Sequence, residues 1–351
     1  MPTPVFTLSK NPSSSYKMRR VLHLPLLDFA HHWLPSIADE HKVPCAVFFI
    51  FPAACVAYKD AHPRSSAESI AQASKPNASG VSDVGRTWET MRRCSLIVCR
   101  SSHEVDGPLC SLLGDVLGSR FGKPVLPSGV LAPYAAATRA SAAGDDDDDE
   151  DTASLMRWLD AQPERSVLYV AFGSEAPLTP EHVAALAHGL DLAGVRFVWA
   201  LRKLIGEDNP PIPDGFEGRV AGRGVVRVGW VPQVRVLAHA AVGGFMTHAG
   251  WSSLMESFLF GHPLVMLPLF GDQGFTARLM AERRVGLEVP RRDGGGELAG
   301  EDVARTVRRV MVDEEREVLA RNAKELQEVL WDTAKQERYI DELVEYLRRH
   351  R

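Results

Sequence analysis

At 351 residues, 45% of them apolar, the chain is long enough for two packed domains with real cores. A formal net charge of −5 offers no broad basic surface, which argues against a nucleic-acid partner, and no apolar run approaches the ~20 residues needed to span a bilayer. Cys45, Cys55, Cys94, Cys99 and Cys110 are odd in number and form no CxxC pair, the pattern of reduced, buried thiols in a cytoplasmic protein.

Residues 1–20 are polar, rich in Ser and Pro and without hydrophobic period. They read as a disordered lead-in, and they lack the apolar core and cleavage site of a secretory signal. An apolar run over 21–27 ends at Asp28, a helical pattern follows to about residue 41, and 43–51 is a second strand candidate. Asp28 fits a helix N-cap with Ala30 and His31 as first-turn donors. A helix is expected over 53–59, a Ser/Ala/Asn-rich loop over 63–82, a short helix over 87–93, and extended pieces over 95–99 and 123–130. Strands and helices alternate as in a parallel α/β domain, but the pieces are few for a complete one.

Residues 145–151 are seven consecutive acids. Such a block repels itself and stays solvated, so 141–153 reads as an interdomain linker; a calcium loop would need spaced ligands and a central glycine. A strand over 166–172 then exits through Gly173-Ser174-Glu175, a turn any βα unit favours. Thr179 before Pro180 marks a helix start and Gly194 its end. Strands are expected over 195–201 and 225–228, around a Pro/Gly-rich loop at 203–222.

The stretch from Trp230 to Gln273 holds the chemistry. An apolar run over 242–247 ends at His248 and Gly250, and a helical pattern starts near Trp251 and stops at Gly261 and Pro263. A second run, 264–267, leads through Phe270-Gly271-Asp272-Gln273 into a helical stretch over 276–284. This βαβα wiring belongs to a parallel sheet, where ligands bind outside the carboxyl ends of the strands. His248, Ser252 and Ser253 lie where unpaired helix N–H groups point outward, a ready phosphate site. The helix dipole adds only ~0.3–1 kcal/mol, so side-chain donors must add the rest. Ser253-Leu254-Met255-Glu256 reads equally well as a capping box. Beyond lie a strand over 285–289, a long charged helical region over 301–332 and a final helix over 336–351. That helix carries Tyr339, Ile340, Leu343, Val344 and Leu347 at helical spacing, compatible with packing back on the first domain or with capping the second.

Trp230, Gln233, His248, Trp251, Ser253, Glu256, Asp272 and Gln273 stand at a spacing that resembles the signature box of plant secondary-product UDP-dependent glycosyltransferases. The resemblance implies an α/β GT-B fold of two Rossmann-like parallel-sheet domains. An incomplete acceptor domain would span 21–140 and the UDP-sugar donor domain 154–335. It implies that Trp230 stacks on uracil while the backbone of Val231 bonds its edge. Gln233 and Glu256 would hold ribose hydroxyls, His248 and Ser253 the diphosphate, and Trp251, Asp272 and Gln273 the sugar hydroxyls. Ser174 would reach the phosphate or sugar from its own loop. An indole face suits a flat base, and carboxylates accept from vicinal hydroxyls. The family usually has Asn where this chain has Ser252, whose shorter side chain loses one phosphate or sugar contact.

Asp28-Phe-Ala-His-His-Trp and His41-Lys-Val-Pro-Cys45 carry the resemblance into the first domain, Asp28 matching the aspartate that orients the family's catalytic histidine. The opening strand and loop that bear this histidine have no counterpart here. His23 would lie roughly 16 Å from Asp28 along a strand, facing the other way, and cannot pair with it. His31 and His32 could approach Asp28, or be ordinary helix residues. The implied reaction is inverting transfer of a hexose, glucose by the resemblance at Gln273, from a UDP-sugar to a hydroxyl of a small plant metabolite. The HKVPC and ERYIDELVEYLRRH segments resemble the branch that glycosylates sugars of flavonoid or terpenoid glycosides. The UDP-sugar is a co-substrate, and neither metal nor cofactor is implied. A positioned general base is worth about 10²–10⁴-fold in rate. Without one, the expectation is donor binding with slow transfer, and absent opening strands would leave a sheet edge open to self-association.

Overall fold

The computed structural model describes residues 24–53, 55, 74–76, 80–134, 137–138, 149–173, 176, 178–202, 212–292 and 296–349. The expected lead-in, His23, Ser174, most of the helix over 53–59, most of the loop over 63–82, the first part of the loop over 203–222 (203–211) and most of the acidic linker lie outside them.

The first sheet has four parallel strands in the order β1-β2-β3-β4: Leu26–Leu27, Ala46–Phe49, Leu96–Cys99 and Val125–Pro127. The two central strands read AVFF and LIVC, continuous apolar runs suited to burial on both faces. After Asp28 the chain makes a 3-10 turn, Phe29–His31, and only then α1, Leu34–Glu40, with Pro35 in its first turn. The single helix expected there is therefore two pieces. α2, Asp83–Arg93, begins four residues earlier than its periodicity suggests, because the Ser82 hydroxyl accepts from Gly85 N (3.1 Å). α3, His103–Asp106, and α4, Pro108–Phe121, were not expected at all. Leu27, Val47, Phe49, Met91, Ile97, Leu113 and Leu117 form the core of this half. All five cysteines are buried, and none of them is in a disulfide.

The second sheet has six parallel strands in the order β10-β9-β8-β5-β6-β7. In chain order they are β5 Val167–Ala171, β6 Arg196–Leu201, β7 Gly224–Val228, β8 Val242–Thr247, β9 Leu264–Met266 and β10 Gly286–Glu288. α5, Glu150–Asp160, precedes them. Its N-cap is Asp149, whose carboxylate accepts from Thr152 N (2.7 Å), so the last acids of the run open a helix and are not linker. α6 is Pro180–Ala193, capped by Thr179 and closed by Gly194 as expected; α7 is Phe216–Arg219 and α8 Gln233–Ala238. α9, Trp251–Phe258, and α10, Gln273–Glu282, follow β8 and β9. The charged region expected as one helical span is two helices, α11 Gly300–Met311 and α12 Glu315–Trp331, and α13 is Thr333–Arg349. Apolar clusters cover both faces of the sheet, one around Tyr169, Phe245 and Phe258, the other around Phe197, Trp199 and Phe216.

α13 returns to the first sheet. Leu343, Tyr346 and Leu347 pack against Ala46, Leu96 and Val98. Gln336 Oε1 accepts from Val130 N (3.1 Å), and the Tyr339 hydroxyl accepts from His103 N (3.1 Å) and donates to Glu104 Oε2 (2.9 Å). The outgoing and returning crossings touch: the Tyr134 hydroxyl donates to Leu330 O (2.7 Å), and its ring lies 5.8 Å from that of Trp331. Among the described residues no helix is long and apolar enough to cross a membrane.

Candidate active site

A cavity of about 600 Å³ lies between the sheets, beyond the carboxyl ends of β5, β8 and β9. The first domain lines it with Phe29, Ile50, Phe51, Trp88, Met91 and Leu117 and with the polar Asp83, Thr87 and Arg120, the second with His248, Trp251, Ser252, Ser253, Asp272 and Gln273.

α9 decides what the second wall can bind. Its N-cap is Gly250, and no side chain caps it. Ser253 therefore sits inside the first turn, the capping-box alternative is not realised, and the N-terminal N–H groups face the cavity end of the helix. Ser253 Oγ instead lies 3.4 Å from Gln233 Nε2, which also donates to Glu256 Oε2 (2.7 Å). Gln233, Ser253 and Glu256 thus converge, although Gln233 and Glu256 stand beside the cavity and do not line it. Trp230 is 81% exposed, and Val231 packs against the core beneath it.

His248 follows β8 with its ring wedged between two glycines. A Cβ at Gly250 would fall 2.3 Å from His248 Nε2, and one at Gly173, whose φ is +72°, 2.7 Å from Cε1. Only hydrogen at both positions admits the ring here. Burial pulls the His248 pKa down to about 4, so at neutral pH it is a neutral imidazole with one N–H to donate. The next residue, Ala249, has φ +64°, a conformation an L side chain adopts only under constraint. The Thr276 hydroxyl, on α10, bonds Ala249 O and Gln273 O and holds this turn. Sequence reasoning assigned Thr276 nothing.

Two of the expected sugar ligands arrive partly committed. Gln273 is 3% exposed and its Oε1 accepts from Leu269 N (2.9 Å) and Phe270 N (3.1 Å), which leaves its amide NH₂ as the group to offer. Trp251 is buried, and its indole N–H donates across the cleft to Arg100 O (3.0 Å). Asp272 keeps a carboxyl whose pKa burial raises. Arg100, also unassigned from sequence, places its guanidinium 2.8 Å from Ser252 Oγ.

Asp28 does what its humbler reading said. Its Oδ1 accepts from Ala30 N (2.6 Å), and His31 Nδ1 lies 3.4 Å away. Neither Asp28 nor His31 lines the cavity; Phe29 between them does. His32 Nδ1 is buried without a hydrogen-bond partner.

Two parallel α/β sheets with a cavity between them, one wall built on an uncapped helix start, make up the GT-B arrangement. The family model described as UDP-glucoronosyl and UDP-glucosyl transferase matches residues 126–350. UDP-glycosyltransferase 91D2 of Stevia rebaudiana is 35% identical, over 93% of this chain and 73% of its own length. The soyasaponin III rhamnosyltransferase of Glycine max is 33% identical over 93% and 73%. The cyanidin-3-O-glucoside 2-O-glucuronosyltransferase of Bellis perennis is 36% identical over 88% and 68%. Among solved structures, a UDP-glucosyltransferase from Polygonum tinctorium superposes with a TM-score of 0.72 at 26% identity, covering 94% of this chain and 76% of that one. This chain belongs to the plant UDP-glycosyltransferase family, whose members are enzymes that move a sugar from a UDP-sugar to an acceptor.

Proposed function

We propose that the chain transfers a hexose, glucose, from its UDP-sugar to a hydroxyl of a small plant secondary metabolite or its glycoside, with inversion at the anomeric carbon. One observation carries this reading: His248, Ser252, Ser253, Asp272 and Gln273 face a cavity whose opposite wall is Phe29, Ile50, Phe51 and Trp88. A polar wall suits a sugar diphosphate, and an aromatic wall suits a flat or polycyclic acceptor. Trp230 holds uracil with the Val231 backbone on its edge, Gln233 and Glu256 the ribose, and Asp272 and the Gln273 amide the sugar hydroxyls, with Ser174 contributing from its loop. A base takes the proton of the acceptor hydroxyl, its oxygen attacks the anomeric carbon in line, and UDP leaves toward His248, Ser253 and the start of α9, whose N–H donors meet the developing charge in place of a metal. A glycoside acceptor is favoured by the cyanidin-3-O-glucoside in the name of one relative.

A second reading rests on the cavity wall. Among its described residues His248 is the one histidine, and it stands on the donor side; Asp28 and His31 lie off the wall. A chain with no other base would bind UDP-sugar and transfer slowly. The test is incubation with UDP-glucose, UDP-rhamnose and UDP-glucuronate against flavonoid and terpenoid glycosides, products read by mass spectrometry, beside calorimetric titration with UDP. Binding with a glucoside product supports the first reading, and binding without product the second. Product from another donor alone overturns the choice of glucose, and absence of UDP binding overturns both readings.

A further inference from the structure

Arg100 follows β3 in the first sheet and reaches the first turn of α9 in the second. Its Nε donates to Val130 O (2.8 Å), Nη2 to Leu131 O (3.2 Å) and Nη1 to Ser252 Oγ (2.8 Å). Its backbone carbonyl accepts the Trp251 indole N–H (3.0 Å). Both residues that open α9 are thus gripped by one residue of the opposite domain.

The three oxygens that the guanidinium meets are all neutral. Burial draws its pKa below the ordinary arginine value, and the charge of the Glu256 carboxylate acts in the other direction. Its three hydrogen-bonded partners leave the guanidinium without a bonded carboxylate, and a guanidinium matches phosphate oxygens in pairs. Two of its five N–H donors remain after the three bonds named. It also stands beside the one position of the box that departs from the resemblance, where Ser252 replaces the usual Asn and falls short by an amide.

We propose that Arg100 is a diphosphate-binding residue, its guanidinium steered by Ser252 to give the donor's diphosphate the contact that the shorter serine does not reach. The proposal rests on the donor-site reading of α9. It makes the diphosphate a bridge, met by N–H groups of one domain and by a cation of the other. The Trp251–Arg100 bond uses backbone, so a change of the Arg100 side chain leaves that latch in place.

The experiment compares calorimetric affinities of UDP and uridine for the wild-type chain, Arg100→Gln, Arg100→Lys and the double variant Arg100→Gln with Ser252→Asn. Arg100→Gln is expected to weaken UDP by about 10- to 100-fold, the range of a hydrogen bond to a charged group, and to leave uridine unchanged. Arg100→Lys, which keeps the charge, and the added Asn are each expected to recover part of the UDP loss, and UDP binding to Arg100→Gln to depend less on salt. Unchanged uridine binding shows that the variant is folded. UDP affinity that Arg100→Gln leaves untouched, or an equal loss for UDP and uridine, overturns the inference while the donor site stands. A wild-type chain that binds neither ligand overturns the donor-site reading and this inference with it.

Discussion

Replacing Trp230 with Ala removes the platform assigned to uracil while disturbing almost nothing else. The indole is 81% exposed, so the fold gains little from it, and thermal stability should shift by no more than about 0.5 kcal/mol, as at other open surface positions. A base stacked on an aromatic ring is worth about 1–3 kcal/mol by alanine substitution, which raises Kd by about 5- to 150-fold. Stacking engages the base alone, so calorimetric titration should show UDP and uridine weakened by the same factor. Trp230→Phe, which keeps a smaller ring, should fall between. This pattern is the opposite of that expected at Arg100, where the two ligands part company. An unchanged Kd for both ligands would remove Trp230 from the base site, and a loss confined to UDP would place it beside the phosphates.

Gln336→Ala strips the buried Val130 N–H of its acceptor and loosens α13 from the first sheet, which should lower stability by about 1–3 kcal/mol in a urea titration. His262 is 3% exposed, its Nε2 donates to Leu237 O (2.6 Å), and burial holds its pKa near about 4. The unfolded chain therefore binds more protons between that value and about 6.5, and stability present above about pH 6.5 is lost as pH falls toward about 4, by about 3 kcal/mol in full. His262→Gln keeps a donor near the carbonyl without the titration. Its unfolding midpoint should fall less steeply between pH 7.5 and 5 than the wild type's, and equal slopes would refute the assignment.

The donor half was legible because its signals are local. The apolar run of β8, the glycine after it and the helical spacing from Trp251 lie within a short stretch, and each appears where the pattern placed it. Which residue caps α9 was not legible, since Gly250 and Ser253 both precede apolar positions and only the backbone chooses between them. α4 was missed although Pro108 at its start and Gly122, in the left-handed region at its end, are good boundary marks. Its buried face is only Cys110, Leu113 and Leu117, too thin a stripe to show as period. Asp149 was hidden among identical neighbours, any of which could cap a helix; the choice falls where the apolar face of Leu155, Met156 and Leu159 sets the register. Arg100 and Thr276 act on partners far along the chain, 152 residues away for Ser252 and 27 for Ala249, and no window of sequence spans such pairs.

The contact between Tyr134 and the Leu330–Trp331 segment joins the two crossings between the sheets. The backbone leaves the first sheet and comes back to it through neighbouring points, and these points are tied to each other. Rotation of one half against the other about that tie stretches neither crossing, whereas translation of one half away from the other strains both. A change at Tyr134 is therefore felt on both crossings at once.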